Sequence, residues 1–166
     1  MSTIADAIMD AAERRIRMAG YCGFSFREVA ADVGIKSASV HYHFPTKESL
    51  GAAVARRYTE RFLARVDADI LAGTGAVEAW CHAFRSALSG DGMMCLCGVL
   101  GATTGGIPHE TMAESKRFFQ LALQRLRGYG LAQDRAAHVL ATLEGAMLLA
   151  NSLADPSVFD EATRSL

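Results

Sequence analysis

The chain of 166 residues has only three prolines and four cysteines, and its formal net charge is −1. Each shortage excludes something. The prolines, at 45, 108 and 156, fall where helical patterns stop or start and not within them. A chain of this length buries about 70% of its unfolded surface, so it needs no disulfides, and the four cysteines read as thiols. A near-neutral balance argues against a simple nucleic-acid coat. The uninterrupted apolar run of a membrane span is missing, so no membrane partner is expected. The opening MSTIADAIMD carries Asp6 and Asp10 with no basic flank, which is not the pattern of a signal peptide. The expected location is the cytoplasm. Strand alternation, repeats and low-complexity tracts are absent. So are a nucleophile elbow, a phosphate loop and a metal-spaced motif. Neither an enzyme nor a cofactor or metal site is expected.

What is present is helical. Apolar residues make up 51% of the chain and mean hydropathy is +0.14, which excludes disorder. Ile4, Ile8, Ala11, Ala12 and Ile16 form one stripe that ends at Gly20. Ser25 and Glu28 have the spacing of a capping box, with the carboxylate reaching back to the Ser25 N–H. A second helix follows, with Val29, Ala30 and Val33 inward, and Gly34 closes it. A third helix spans about 36–44 and stops at Pro45. Thr46 caps a long helix running to about Leu71, and Gly73-Thr74-Gly75 breaks it. Further helices cover 77–88, a short buried stretch within 93–106, the segment from Pro108 to Gly128 or Gly130, 134–151 and 157–166. Residues 89–92 read as a loop. The expected fold class is all-α.

Charge is uneven. Residues 1–66 hold ten Lys/Arg against seven Asp/Glu, and residues 67–166 hold seven against eleven. A basic head on an acidic body suits an anion-binding function. Two short helices joined through Ala31-Asp32-Val33-Gly34 fit a helix-turn-helix, in which the second helix enters the major groove. The candidate DNA-binding residues are Ser25, Lys36, Ser37, Ser39, His41, Tyr42, His43, Thr46 and Lys47. Ser37, Ser39, His41 and His43 offer short donors and acceptors, and Ala38 permits close approach. Ile35 buries in the turn, Val40 and Phe44 point inward, and Tyr42 reaches a phosphate. Lys47 adds a charge to the free N–H groups of a helix start. A plain helical hairpin with a wet polar face has the same pattern.

These residues resemble the signature of the TetR family of bacterial transcriptional regulators. The resemblance rests on Ala11-Ala12, Gly20-Tyr21, Ser25, Val29-Ala30, Gly34-Ile35, Tyr42-His43-Phe44 and Thr46-Lys47-Glu48-Ser49-Leu50, and covers about residues 4–55. Ala38, Val40 and His41 depart from the family's usual residues on the reading helix, which bears on the operator and not on the activity. The resemblance implies a three-helix DNA-binding head (1–50), joined by a long helix to a helical ligand-binding and dimerisation domain (51–166). It implies a double-stranded operator, a homodimer formed through the last two helices, and an unnamed small-molecule effector. A ligand-responsive repressor on a palindromic operator is the leading expectation.

In the body, the candidate ligand-binding residues are Phe62, Trp80, Phe84, Met93, Met94, Cys97, His109, Phe118, Phe119 and Met147, with His82, His109 and Glu144 as polar anchors. Residues 134–151 are nearly apolar all round, as expected of a helix shared between subunit core and partner. Leu140, Leu143, Met147 and Leu148 are the interface candidates. Cys95 and Cys97 leave open a thiol-sensing regulator, with inert packing the commoner role of such residues. A small-molecule-binding protein with a vestigial helix-turn-helix is the other alternative.

Overall fold

The computed structural model describes residues 3–91, 94–103 and 105–166. Among these residues the chain is all-α, with nine α-helices, one 3-10 turn at Tyr21–Gly23 and no strand. The helices are α1 (Ile4–Ala19), α2 (Phe26–Val33), α3 (Ser37–His43), α4 (Lys47–Leu71), α5 (Ala76–Asp91), α6 (Leu96–Gly101), α7 (His109–Gly128), α8 (Gln133–Leu153) and α9 (Ser157–Thr163).

Local signals set the first four. α1 opens with a full capping box: the Asp6 N–H donates to Thr3 Oγ1 at 3.1 Å, and the Thr3 N–H donates to the Asp6 carboxylate at 2.9 Å. At α2 only half of the expected box forms. The Glu28 N–H donates to Ser25 Oγ at 3.3 Å, but the Glu28 carboxylate takes the Ser25 hydroxyl and pairs with Arg15 instead of reaching the Ser25 N–H. Gly34 ends α2 at φ +75°, the left-handed region where a Cβ is strained, and the Ile35 N–H reaches back to the Ala30 carbonyl. Thr46 and Ser49 cap each other at the start of α4, at 3.0 and 3.2 Å.

The chain divides into two compact units, Met1–Tyr58 with Leu96–Lys116, and Thr59–Cys95 with Arg117–Leu166. This division does not follow the expected boundary at residue 50, which lies inside α4. α6 and the first two turns of α7 belong with the N-terminal helices.

In the first unit, Ile8, Ala11, Ala12, Ile16, Phe24, Val29, Val40, Leu50 and Val54 form the core, joined by Leu96, Cys97 and Leu100 of α6. Val33, Ile35 and Phe44 are only half-buried. Arg15 clasps Asp32 at 2.6 and 2.9 Å, tying α1 to α2, and Arg57 meets Asp10 at 2.6 Å, tying α4 to α1. Gly51 is required by close approach: a Cβ there would lie 2.7 Å from the Tyr21 ring and 2.8 Å from Thr111 Oγ1.

The second unit is centred on Phe62. Its ring meets Trp80 at 5.7 Å, Phe84 at 5.1 Å and Phe118 at 5.3 Å. α5 continues through Ser89 to Asp91, where a loop was expected. The Ser89 hydroxyl donates to the Arg85 carbonyl, and Arg85 in turn donates to Ser89 and to both carboxylate oxygens of Asp160. These bonds hold the last turn despite Gly90. α8 buries Ala136, Val139, Leu140, Leu143, Ala146, Met147 and Ala150, and packs against α9. It is long and apolar enough to cross a membrane by length and composition, yet these residues make it a core helix of its unit.

Candidate functional site

α3 is a helix with one anchor. Val40 is fully buried, and Ala38, His41 and Tyr42, spaced i, i+3 and i+4, form one exposed face. Tyr42 is 84% exposed. Burying a tyrosine is ordinarily favourable, so a ring held this far in solvent is available to another surface. His41 is exposed too, but its ring stands edge-on to Phe26 of α2 at 4.6 Å, which limits its orientations. Ser37, Ser39 and His43 flank the face half-buried, and Lys36 precedes it, exposed. Ser25 and Thr46 cap α2 and α4 through their side chains, and both are exposed.

Lys47 is held more firmly than its position implies. Its ammonium lies 4.5 Å from the Phe24 ring centre and 4.8 Å from that of Tyr21. Two aromatic faces therefore fix the cation beside the first turn of α4, whose leading N–H groups have no partner within the helix. Burial pushes the Tyr21 phenol up from its ordinary pKa, so the ring stays neutral beneath the charge. The sequence pattern could not show this platform, because Tyr21 and Phe24 lie far from Lys47 along the chain, before the second helix.

The body candidates fall in both compact units. Phe62, Trp80, Phe84 and Phe118 meet in the second unit, with Phe119 stacked edge-on against Phe118 at 5.2 Å. Met147 is buried there and accepts the Cys95 N–H on its sulfur at 3.2 Å. Met94 is half-buried. Cys97 and His109 belong to the first unit, Cys97 being buried and His109 exposed. Met93 lies outside the described residues. His82 is exposed, near Asp69 and Glu78, on an open groove of about 660 Å³ lined by Val77, Cys81, Tyr129 and Leu131.

Glu144 differs from all of these. Both its carboxylate oxygens are shut off from solvent, and its pKa is pushed up to about 7 by burial, with the Cys95 thiol opposing the shift. Of the four interface candidates, Leu140, Leu143 and Met147 are buried within the subunit. They fill its own core and are not free for a partner. Leu148 is exposed, and the sequence reading missed its neighbours Leu149 and Leu153, exposed beside it. Cys95 and Cys97 are both fully buried. Reaction with an oxidant needs an accessible thiolate, so their burial favours the packing role.

The model of a family described as bacterial regulatory proteins, tetR family, matches residues 8–54. No curated protein matches the chain. Among solved structures, the chain is 30% identical to a TetR transcriptional regulator from Legionella pneumophila, over 99% of its own length and 95% of that chain, with a TM-score of 0.88. A TetR-family transcriptional regulator from Agrobacterium tumefaciens is 25% identical over 97% of this chain and 94% of that one, also at 0.88. The transcriptional regulator FadR from Bacillus subtilis, solved with stearoyl-CoA, is 16% identical over 95% of each chain at 0.73, a likeness of fold alone.

Proposed function

The chain belongs to the TetR family of bacterial transcriptional regulators, and on that premise we propose that it is a ligand-responsive repressor that binds a palindromic operator as a homodimer. The observation that carries this reading is the outward face of α3, a short helix locked by Val40 and presenting Ala38, His41 and Tyr42. Residues 1–50 contact DNA, and the rest of the chain regulates that contact in the cytoplasm. Lys47, Thr46 and Tyr42 hold phosphates, while Ser37, Ser39, His41 and His43 meet base edges. Two-fold symmetry places the half-sites about one helical turn apart.

The exposed row Leu148, Leu149 and Leu153 supports a dimer, because an apolar patch on a long helix suits an isologous interface. A fold neighbour solved with stearoyl-CoA supports a body that accepts a small organic molecule. Such an effector acts by preferring the conformation that does not bind DNA, and its effect is limited by that preference.

The test is fluorescence anisotropy with the DNA upstream of the protein's own gene, at several salt concentrations. Binding is expected, with a steep salt dependence. Lys47→Ala should weaken specific and random DNA alike and lower the salt slope by about one. An unchanged slope removes Lys47 from the phosphate contacts. Absence of binding at low salt by a folded dimer sinks the repressor reading.

A further inference from the structure

Glu144 lies on the inward side of α8, one turn from the buried Leu140 and Met147. Among the described residues, neither of its carboxylate oxygens has a hydrogen bond of ordinary geometry. Trp80 of α5 is fully buried, and its Nε1 is without an acceptor in the same way. α5 and α8 pack together within one compact unit. Buried polar groups in folded proteins are almost always hydrogen-bonded. An unmet acceptor and an unmet donor on two packed helices therefore point to a partner that the chain does not supply.

The kind of group left unmet defines that partner. A carboxylate accepts only, and it binds a charged donor far better than a neutral one. No cation of the described chain acts on Glu144; the Cys95 thiol facing it is a weak donor. The ring of Phe62, which meets those of Trp80, Phe84 and Phe118 in the same unit, centres the apolar and aromatic surroundings that the organic part of a cation needs.

We propose that Glu144 anchors the effector, and that the effector is an organic cation: a protonated amine on an apolar body, donating to the Glu144 carboxylate and offering an acceptor to Trp80 Nε1. This rests on the ligand-responsive reading and gives it a chemical class.

The experiment is calorimetric titration of the whole protein, without DNA, with three molecules of one shape: 1-naphthylmethylamine, 1-naphthylmethanol and 1-naphthoate. The amine should bind about tenfold or more tighter than the alcohol, and the carboxylate should not bind. In Glu144→Gln, which keeps the shape of the side chain, the amine should lose about tenfold in affinity and the alcohol little. Far-UV circular dichroism checks that the variant is folded. Equal affinities of amine and alcohol overturn the proposal, as does an unchanged amine affinity in the variant, which would mean that water or a bound proton satisfies the carboxyl. Failure of the amine to bind at roughly 1 mM overturns it too. DNA is absent throughout, so these failures are separate from a failure to bind the operator.

Discussion

The outer face of α3 and the inner face of α8 treat polar groups in opposite ways. On the outer face of α3 and just before it, Lys36, His41 and Tyr42 stand in water, which hydrates them. On α8, the Glu144 carboxylate is shut off from water, and among the described residues only the weakly donating Cys95 thiol acts on it. A polar group in solvent costs the fold almost nothing, whereas one buried without compensation is destabilising. Under the proposed function, the head would therefore act through side chains that stability ignores, and the body would bind its effector within the packing that holds it together.

The comparison breaks first if the body's aromatic cluster is not what stabilises it. Phe118 is fully buried and meets both Phe62 and Phe119. Phe118→Ala should cost about 3–5 kcal/mol, through lost burial and the cavity left behind. Urea unfolding measures it. A loss below about 1 kcal/mol would mean that the cluster collapses freely around the gap.

Glu144 gives the next largest effect, and its sign depends on pH. Its pKa is raised from the ordinary 4.5 to about 7. Below the lower value the folded and unfolded chains are both protonated there, and the group contributes no difference. As pH rises through the window the unfolded chain ionises first, so folded stability falls until about pH 7 and is level above it. The full loss corresponds to about 3 kcal/mol. Glu144→Gln escapes this loss, so its advantage over the natural chain should be far larger at pH 8 than at pH 4. Urea unfolding at the two values checks it. A gap independent of pH would place Glu144 in an ordinary, solvated state and remove the contrast with α3.

Legibility in the sequence follows the same divide. The turns of the head were readable because their causes lie within a few residues: Gly34 in the left-handed region, Ser25 and Thr46 at helix starts, Pro45 after α3. The α8 face was not readable. A helix apolar on nearly every side carries no mark of which side turns inward, so Leu140, Leu143 and Met147 were assigned to an interface, though they fill the subunit core. Nor could the sequence show that α6 clusters with the N-terminal helices, since that depends on contacts made across some eighty residues of chain. Glu28 could be placed at its cap but not denied its return bond, because the competing Arg15 comes from another helix.

The smallest effect is expected where the sequence pattern was clearest. Tyr42 is 84% exposed, and its ring meets only that of the neighbouring His43, at 5.2 Å, among the described ring contacts. Tyr42→Ala should therefore change unfolding stability by less than about 0.5 kcal/mol, as surface substitutions do. The same change removes a long polar side chain from the face proposed to meet DNA. Operator affinity should fall about tenfold, with random DNA weakened in proportion if the hydroxyl meets a phosphate. Paired urea titrations and anisotropy measurements read the two quantities on one preparation. If Tyr42→Ala instead lowers stability by about as much as Phe118→Ala, the outer face of α3 is part of a packed interface, and the division between a head that functions in solvent and a body that functions in its core would not stand.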